Sequence, residues 1–549
     1  MNKNILTCIF LLFVSQALLG QKKPGSLDNQ EVTIEKNRKI DFPVANRLFD
    51  KLLPIKVVDT DQKMRYEFKT PKLTVGTPLM MPSILSPSDK KSTEEQVAFE
   101  NYVKIGGGNY GKIYGEAFVG TQINSDLLVD VQFKHLSNQT GPVASKFSGN
   151  SENRLKIDGK YLTTNFKIDA SLLYNRESYF FYGRENAELF SSDSIKQTVK
   201  TIGGQLSFEN ANNESAVDYS LKTGFYLTND RYSASESDWG SNFKATLPIL
   251  TNFYALFNAD AFISQRVDAE TFNRNFFRVK PAFKYTNKVF TVTAAFNAVN
   301  ETDSRLGINR TVGFPVLDID VVPFGNVHFF GGIDGDVNRN TLRSFLAENR
   351  WLDRNVVIAN TEKSRDLYVG TKGEIGNGFN YEAKVSYARY RNFYSFNNSL
   401  ADTSKFSVLY DSNPINVLLL SAQVGYSLNS VIRSVLKVES FDFGVERLDV
   451  AWQRPTLTAN LNTSIIFSKK MFVTADVYLL KGMRAKNFQT DQFFNMKTII
   501  DANIKIDYLL TPNFSAFVSL NNLGGQTYER FLYYRNQGLN FLGGLAVSF

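Results

Sequence analysis

The final stretch, Gly538 to Phe549, constrains the fold more than any other part of the chain. Leu539, Phe541, Leu545, Val547 and Phe549 share one parity, broken only by Gly543, while Asn540, Gly544, Ala546 and Ser548 occupy the other. A period of two marks a strand with one apolar face. A full-length strand that finishes on a bare aromatic suits a closed barrel in a bilayer. There it must pair with the first strand so that no edge meets lipid.

The hairpins before it follow the same rule. Ile500, Ala502, Ile504, Ile506, Tyr508 and Leu510 alternate with Asp501, Asn503, Lys505, Asp507 and Leu509, and Phe514, Ala516, Val518 and Leu520 with Ser515, Phe517, Ser519 and Asn521. Charges opposite a continuous apolar row describe one wet and one greasy side. A soluble sandwich would also alternate, so composition has to decide. The chain is slightly hydrophilic on average, yet 13% of it is aromatic, with 46 Phe and 25 Tyr. A polar lumen averaged against an apolar exterior with aromatic girdles produces that pairing. No stretch after the leader is apolar for the ~20 residues of a membrane helix.

The chain begins with Lys3 and the apolar run Ile5 to Val14, followed by small and polar residues up to Gly20. This is the anatomy of a secretory signal peptide over residues 1–20. Gln21 stands where a lipidated cysteine would be, so no lipid anchor is expected. The one cysteine, Cys8, lies inside the leader, which leaves no disulfide or Cys-based metal site. His135 and His328 are far apart in strand-like segments and read as lumen or interface residues. A net charge of +8 raises nucleic acid as a partner, but the basic residues are interleaved with acids and never gather into a run. Export makes nucleic acid a poor partner as well.

Residues 21–98 differ from the rest, holding seven of the 15 prolines: Pro24, Pro43, Pro54, Pro71, Pro78, Pro82 and Pro87. That density forbids regular strand pairing, so the segment is expected to be irregular, periplasmic or intraluminal. Its apolar patches, Leu52-Leu53-Pro54 and Leu79-Met80-Met81-Pro82 among them, imply docking. From Phe99 to Phe549 strands alternate with short turns near 124, 163, 251, 287, 376, 468 and 512, and with long polar connections near 138–151, 178–195, 338–362, 393–415 and 525–536. This asymmetry is that of an outer-membrane barrel. The expected fold is all-β, a transmembrane antiparallel barrel of about 22 strands with both termini periplasmic. Short elements near 100–122 and 405–415 lower the count to 20 if they fall outside the wall.

Arg343 to Leu352 reads as a short helix on an outer loop. Tyr179, Phe181 and Arg184 form one aromatic–arginine cluster, and Arg389, Tyr390, Arg391, Phe393 and Tyr394 another. Both fit either an interfacial girdle or a ligand-contacting extracellular mouth. Gly106 to Gly111 reads as a turn or barrel bend. No Gly-x-Ser-x-Gly elbow, His-Glu-x-x-His or P-loop is present, so no catalytic, cofactor or metal residues are assigned.

The end of the chain, Asn522-Leu523, Tyr528, Gly538 and Leu545, Val547 and Phe549, resembles that of TonB-dependent receptors. Gln537 and Leu539 replace the Pro and Arg that usually flank the glycine. The resemblance implies an outer-membrane receptor barrel in a Gram-negative envelope. The expected partners are outer-membrane lipid, the barrel-assembly machinery during biogenesis, and TonB or another envelope protein. Such receptors carry a plug of well over a hundred residues, for which 21–98 is too short. Glu31, Val32, Thr33 and Ile34 are similar to a TonB box, an extended segment that adds a strand to its partner. The expected function is binding or passage of a small extracellular solute. The alternative is an accessory barrel of an outer-membrane complex, with 21–98 as docking arm.

Overall fold

A computed structural model describes residues 101–549 apart from 144, 185–191, 212–216, 377, 429–430 and 447. The leader, the proline-rich segment and the Glu31–Ile34 stretch lie outside the described residues. Twenty-two strands, from Tyr102–Gly108 to Asn540–Ser548, form one antiparallel sheet. The first and last pair directly, Val103 opposite Val547 and Ile105 opposite Leu545, so the sheet closes on itself. The expected strand number holds. Lys112–Gln122 joins Tyr102–Gly108 in the wall, whereas Tyr394–Asn398 and Phe406–Tyr410 pair with each other in a separate hairpin.

Alternation fixes which way each side chain points. Val103, Ile105, Leu545 and Val547 are exposed on the outer wall, as are Ile500, Tyr508 and Leu510 in the neighbouring hairpin. Between them Lys104 and Glu116 are buried on the lumen side, with the Tyr102 hydroxyl donating to Glu116 at 2.8 Å. A one-residue slip would carry these charges into lipid, so the pleat and the membrane together set the register. Rings crowd the outer wall near the short turns. Phe253 stacks on Phe283 at 5.8 Å, Phe379 meets Tyr426 at 4.4 Å, and Phe324 and Phe467 are exposed. This is a girdle at one interface.

The closing seam is built from glycine. Gly106 faces Gly544 and Gly107 faces Gly543. A Cβ on Gly544 would lie 2.1 Å from the Ile105 carbonyl oxygen, and one on Gly108 would lie 1.9 Å from that of Phe541. The strands here are also the shortest in the wall, seven residues at Tyr102–Gly108, eight at Phe514–Asn521 and nine at Asn540–Ser548.

Candidate functional site: the capped mouth

At the long-loop end, connections from distant strands meet over the barrel. The helix is Leu342–Glu348, one residue earlier than the sequence pattern placed it. Thr341 and Ser344 form a reciprocal capping box, which fixes its start. The barrel wall adds a second anchor, since both Glu236 carboxylate oxygens accept from the Leu342 N–H, at 2.9 and 3.0 Å. A carboxylate at unsatisfied N-terminal amides is stabilising.

Arginines on two strands and one turn beneath hold the rest of this connection by its carbonyls. Arg274 Nη1 donates to Asn340 O at 2.8 Å, Arg266 Nη1 to Val356 O at 2.8 Å, and Arg305 to Val356 O and Asn355 O at 3.0 and 2.9 Å. Lower in the lumen the charges pair across strands: Arg278 with Asp260 and Asp336, Lys363 with Asp334 and Asp366, Lys372 with Asp320. His328 also reaches Asp320, at 2.8 Å.

Above this framework lies an apolar core. Leu342, Phe345, Leu352, Val356 and Ile358 of the helical connection pack with Tyr394, Phe396 and Phe406 of the hairpin and with Phe531 and Tyr534 of the last long loop. Trp351 stacks on Tyr534 at 3.8 Å. Gln453 ties the pieces together. It is 1% exposed with φ of 55°, donating to Asn397 and Asn398 at 3.1 and 3.3 Å and accepting from the Leu532 N–H at 3.2 Å.

Charges are sealed inside this cap. Arg454 Nη1 lies 3.5 Å from Glu348 Oε1, and Tyr394 donates to Glu348 Oε2 at 2.7 Å. Arg530 Nη1 donates to Gln453 O at 2.8 Å. Arg454 Nη2 and Arg530 Nε are buried without a hydrogen-bond partner among the described residues. Burial pushes the Glu348 carboxyl above the usual range against the pull of Arg454. Burial also draws Arg530 down to about 10, with Glu348 opposing. Asp402 goes the other way. Burial would raise it, but hydrogen bonds from Ser404 and the charges of Arg184 and Lys405 hold it below the usual range. Arg184 Nη2 donates to both carboxylate oxygens of Asp402, at 2.8 and 2.6 Å.

The clusters singled out in the sequence divide. Tyr179 and Phe181 are buried at the loop end, Tyr179 donating to Arg350 O, and Arg184 reaches the hairpin through Asp402. Tyr390 and Phe393 are wholly buried with Ile415, Val417 and Ala451, and Tyr394 joins the main cap. Arg389 and Arg391 are exposed. Sequence reading missed Glu348, Gln453, Arg454 and Arg530. They lie in the long connections, at a helix end, in a two-strand turn and in irregular loop, where no sustained period marks which side chains turn inward. Among the described residues no three His, Cys, Asp or Glu side chains converge as a metal ligand set would require.

No protein-family model matches the chain, and no curated protein sequence matches it. Solved structures do match in fold. The FrpB iron transporter from Neisseria meningitidis is similar with a TM-score of 0.64 at 9% identity, over 82% of this chain and 81% of that one. The siderophore receptor PirA from Acinetobacter baumannii gives 0.62 at 10% identity, over 82% and 80%. The copper transporter OprC gives 0.62 at 11% identity, over 82% and 80%. The barrel thus has the TonB-dependent receptor fold, as the chain's last residues implied.

Proposed function

We propose that this chain is an outer-membrane receptor or transporter that receives a small, negatively charged extracellular solute beneath the loop cap. Long loops and cap face outward, and both termini face the periplasm. The observation that carries the reading is the sealed cap itself. Arg454 pairs with the Glu348 carboxylate, Arg530 donates to the Gln453 carbonyl, and each guanidinium keeps a nitrogen without a hydrogen-bond partner among the described residues. A desolvated cation with a spare donor favours an anion that can replace lost water. Transport and reception, not catalysis, are also what the names of the similar structures describe.

Residues 1–20 direct export, and 21–98 act as a stopper in the lumen or as a periplasmic arm. Glu31–Ile34 offer an edge to TonB or another envelope protein. The test is single-channel conductance in planar bilayers, comparing the leader-free chain with a variant lacking 24–95. Opening only in the truncated protein, blocked by small anions and insensitive to them in R454Q/R530Q, supports the reading. One observation favours the accessory-barrel alternative: Arg266, Arg274 and Arg305 clamp the mouth by the loop's own backbone. No conductance in either form, with a co-purifying partner lost on truncation, would establish that alternative instead.

A further inference from the structure

The register of the wall places a cationic patch directly above an apolar groove on the outside of the barrel. Take the strands Leu127–Asn138, Asn150–Leu162, Phe166–Phe180, Lys196–Asn210, Asp218–Asp230 and Ser235–Leu250. In one register row their outward residues are Val131, Ile157, Leu172, Gly204, Phe225 and Trp239, paired in that order. Two residues nearer the long loops the row is Phe133, Leu155, Tyr174, Ile202, Leu227 and Ser237. Two further, it becomes His135, Asn153, Arg176, Lys200, Asn229 and Ser235, again paired in order. At Tyr174–Ile202 and Arg176–Lys200 the wall therefore turns from apolar to cationic within two residues of strand.

Both levels are concave. The lower groove, about 490 Å3, is lined by Leu172, Leu206, Phe225 and Trp239, and its floor is small because Gly159 and Gly204 have no side chain. The upper hollow, about 390 Å3, is lined by Arg176, Lys196, Lys200 and Arg231 with Thr198, Asn229 and Asp230. Its one carboxylate is occupied, since Asp230 accepts from Gln197 Nε2 and from the amides of Tyr232 and Ala234. Arg231 lies 3.8 Å from the exposed Asp193. Arg176, Lys196 and Lys200 have no carboxylate within ion-pair distance among the described residues. On the next four strands the outward positions at this end are uncharged, Gln265, Asn273, Asn275, Asn300 and Thr311, and a second cationic row of Arg365, Arg389 and Arg391 stands farther round the wall.

We infer that this sector is a binding site for one lipid of the leaflet at the long-loop end, with an acyl chain in the groove and a bis-phosphorylated headgroup on the four cations. Lys196 and Lys200 lie four residues apart on one strand, about 13 Å at ~3.3 Å per residue, which spreads the cations too widely for a single phosphate. Four positive charges at the boundary of a low-dielectric slab attract polyanions strongly. The inference needs the barrel in a membrane and holds whichever solute the mouth receives.

Trp239 supplies the readout, because it lines the groove and is one of three tryptophans, the others lying in the cap loops. The leader-free protein is reconstituted in phosphatidylcholine vesicles with brominated chains, which quench Trp239. W239F supplies the background to be subtracted. A non-brominated, bis-phosphorylated glucosamine lipid is then titrated in. It should restore emission at a mole fraction about tenfold lower than its dephosphorylated form or phosphatidylglycerol does, with the advantage shrinking in high salt. R176Q/K200Q should abolish the advantage while K200R keeps it, heat-modifiable gel mobility confirming that each variant is folded. Equal titrations by the three lipids in the wild type, or an unchanged advantage in folded R176Q/K200Q, would overturn the site.

Discussion

Gln453 shows how much one side chain can hold when it is buried among loops. Its amide joins the hairpin, the last long loop and, through its own N–H, the carbonyl of Arg484 at 2.7 Å. Gln453→Ala strands several buried partners and should cost the cap about 1–3 kcal/mol. Hydrogen exchange at the Leu532 amide, which donates to Gln453, should accelerate while barrel amides stay protected. Glu348 gives a pH dependence with a definite sign. Its folded pKa is raised, so its protonated form stabilises the cap below the ordinary glutamate range and that contribution is lost as pH rises through the elevated value. The cap should be tighter in mild acid by this group, measured by Trp351 emission, and E348Q should flatten the profile. Asp402 works oppositely, since its lowered pKa makes its contribution fade only as pH falls. Neither residue was legible in the sequence, because Glu348 is paired with Arg454 and Asp402 with Arg184, partners that come from other connections of the cap.

At the level of elements, the wall was readable and the cap was not. Leu127, Val129, Val131 and Phe133 announced their strand because a bilayer outside and water inside leave alternation almost no freedom. The helix was also visible, but its true start at Thr341 depends on a capping box with Ser344, and on Glu236 far away. Its buried Phe345 fills the centre of the cap, so Phe345→Ala should cost about 3–5 kcal/mol locally and raise solute leakage from loaded proteoliposomes. The seam offers a paired test. Gly544→Val puts a side chain where only 2.1 Å is free, whereas a Cβ at Gly115 meets nothing within 4 Å. The first should lose the compact, heat-modifiable form on a gel, and Gly115→Val should keep it.

At the scale of the whole molecule, strand number, closure and the alternation of short and long connections all followed from pattern, since topology in a membrane must leave no unpaired edge. Which clusters turn inward did not follow, and so the aromatic–arginine motifs split between cap interior and outer surface. The three shortest strands sit side by side at the closure. Seven tilted residues climb only about 17 Å, against an apolar band of about 25 Å around such barrels. Lipid tails meeting that flank must splay or shorten, so the protein carries a permanent dimple in its surroundings. A chain being folded into the sheet would find the last wedge of bilayer already thin at the place where the ring has to shut.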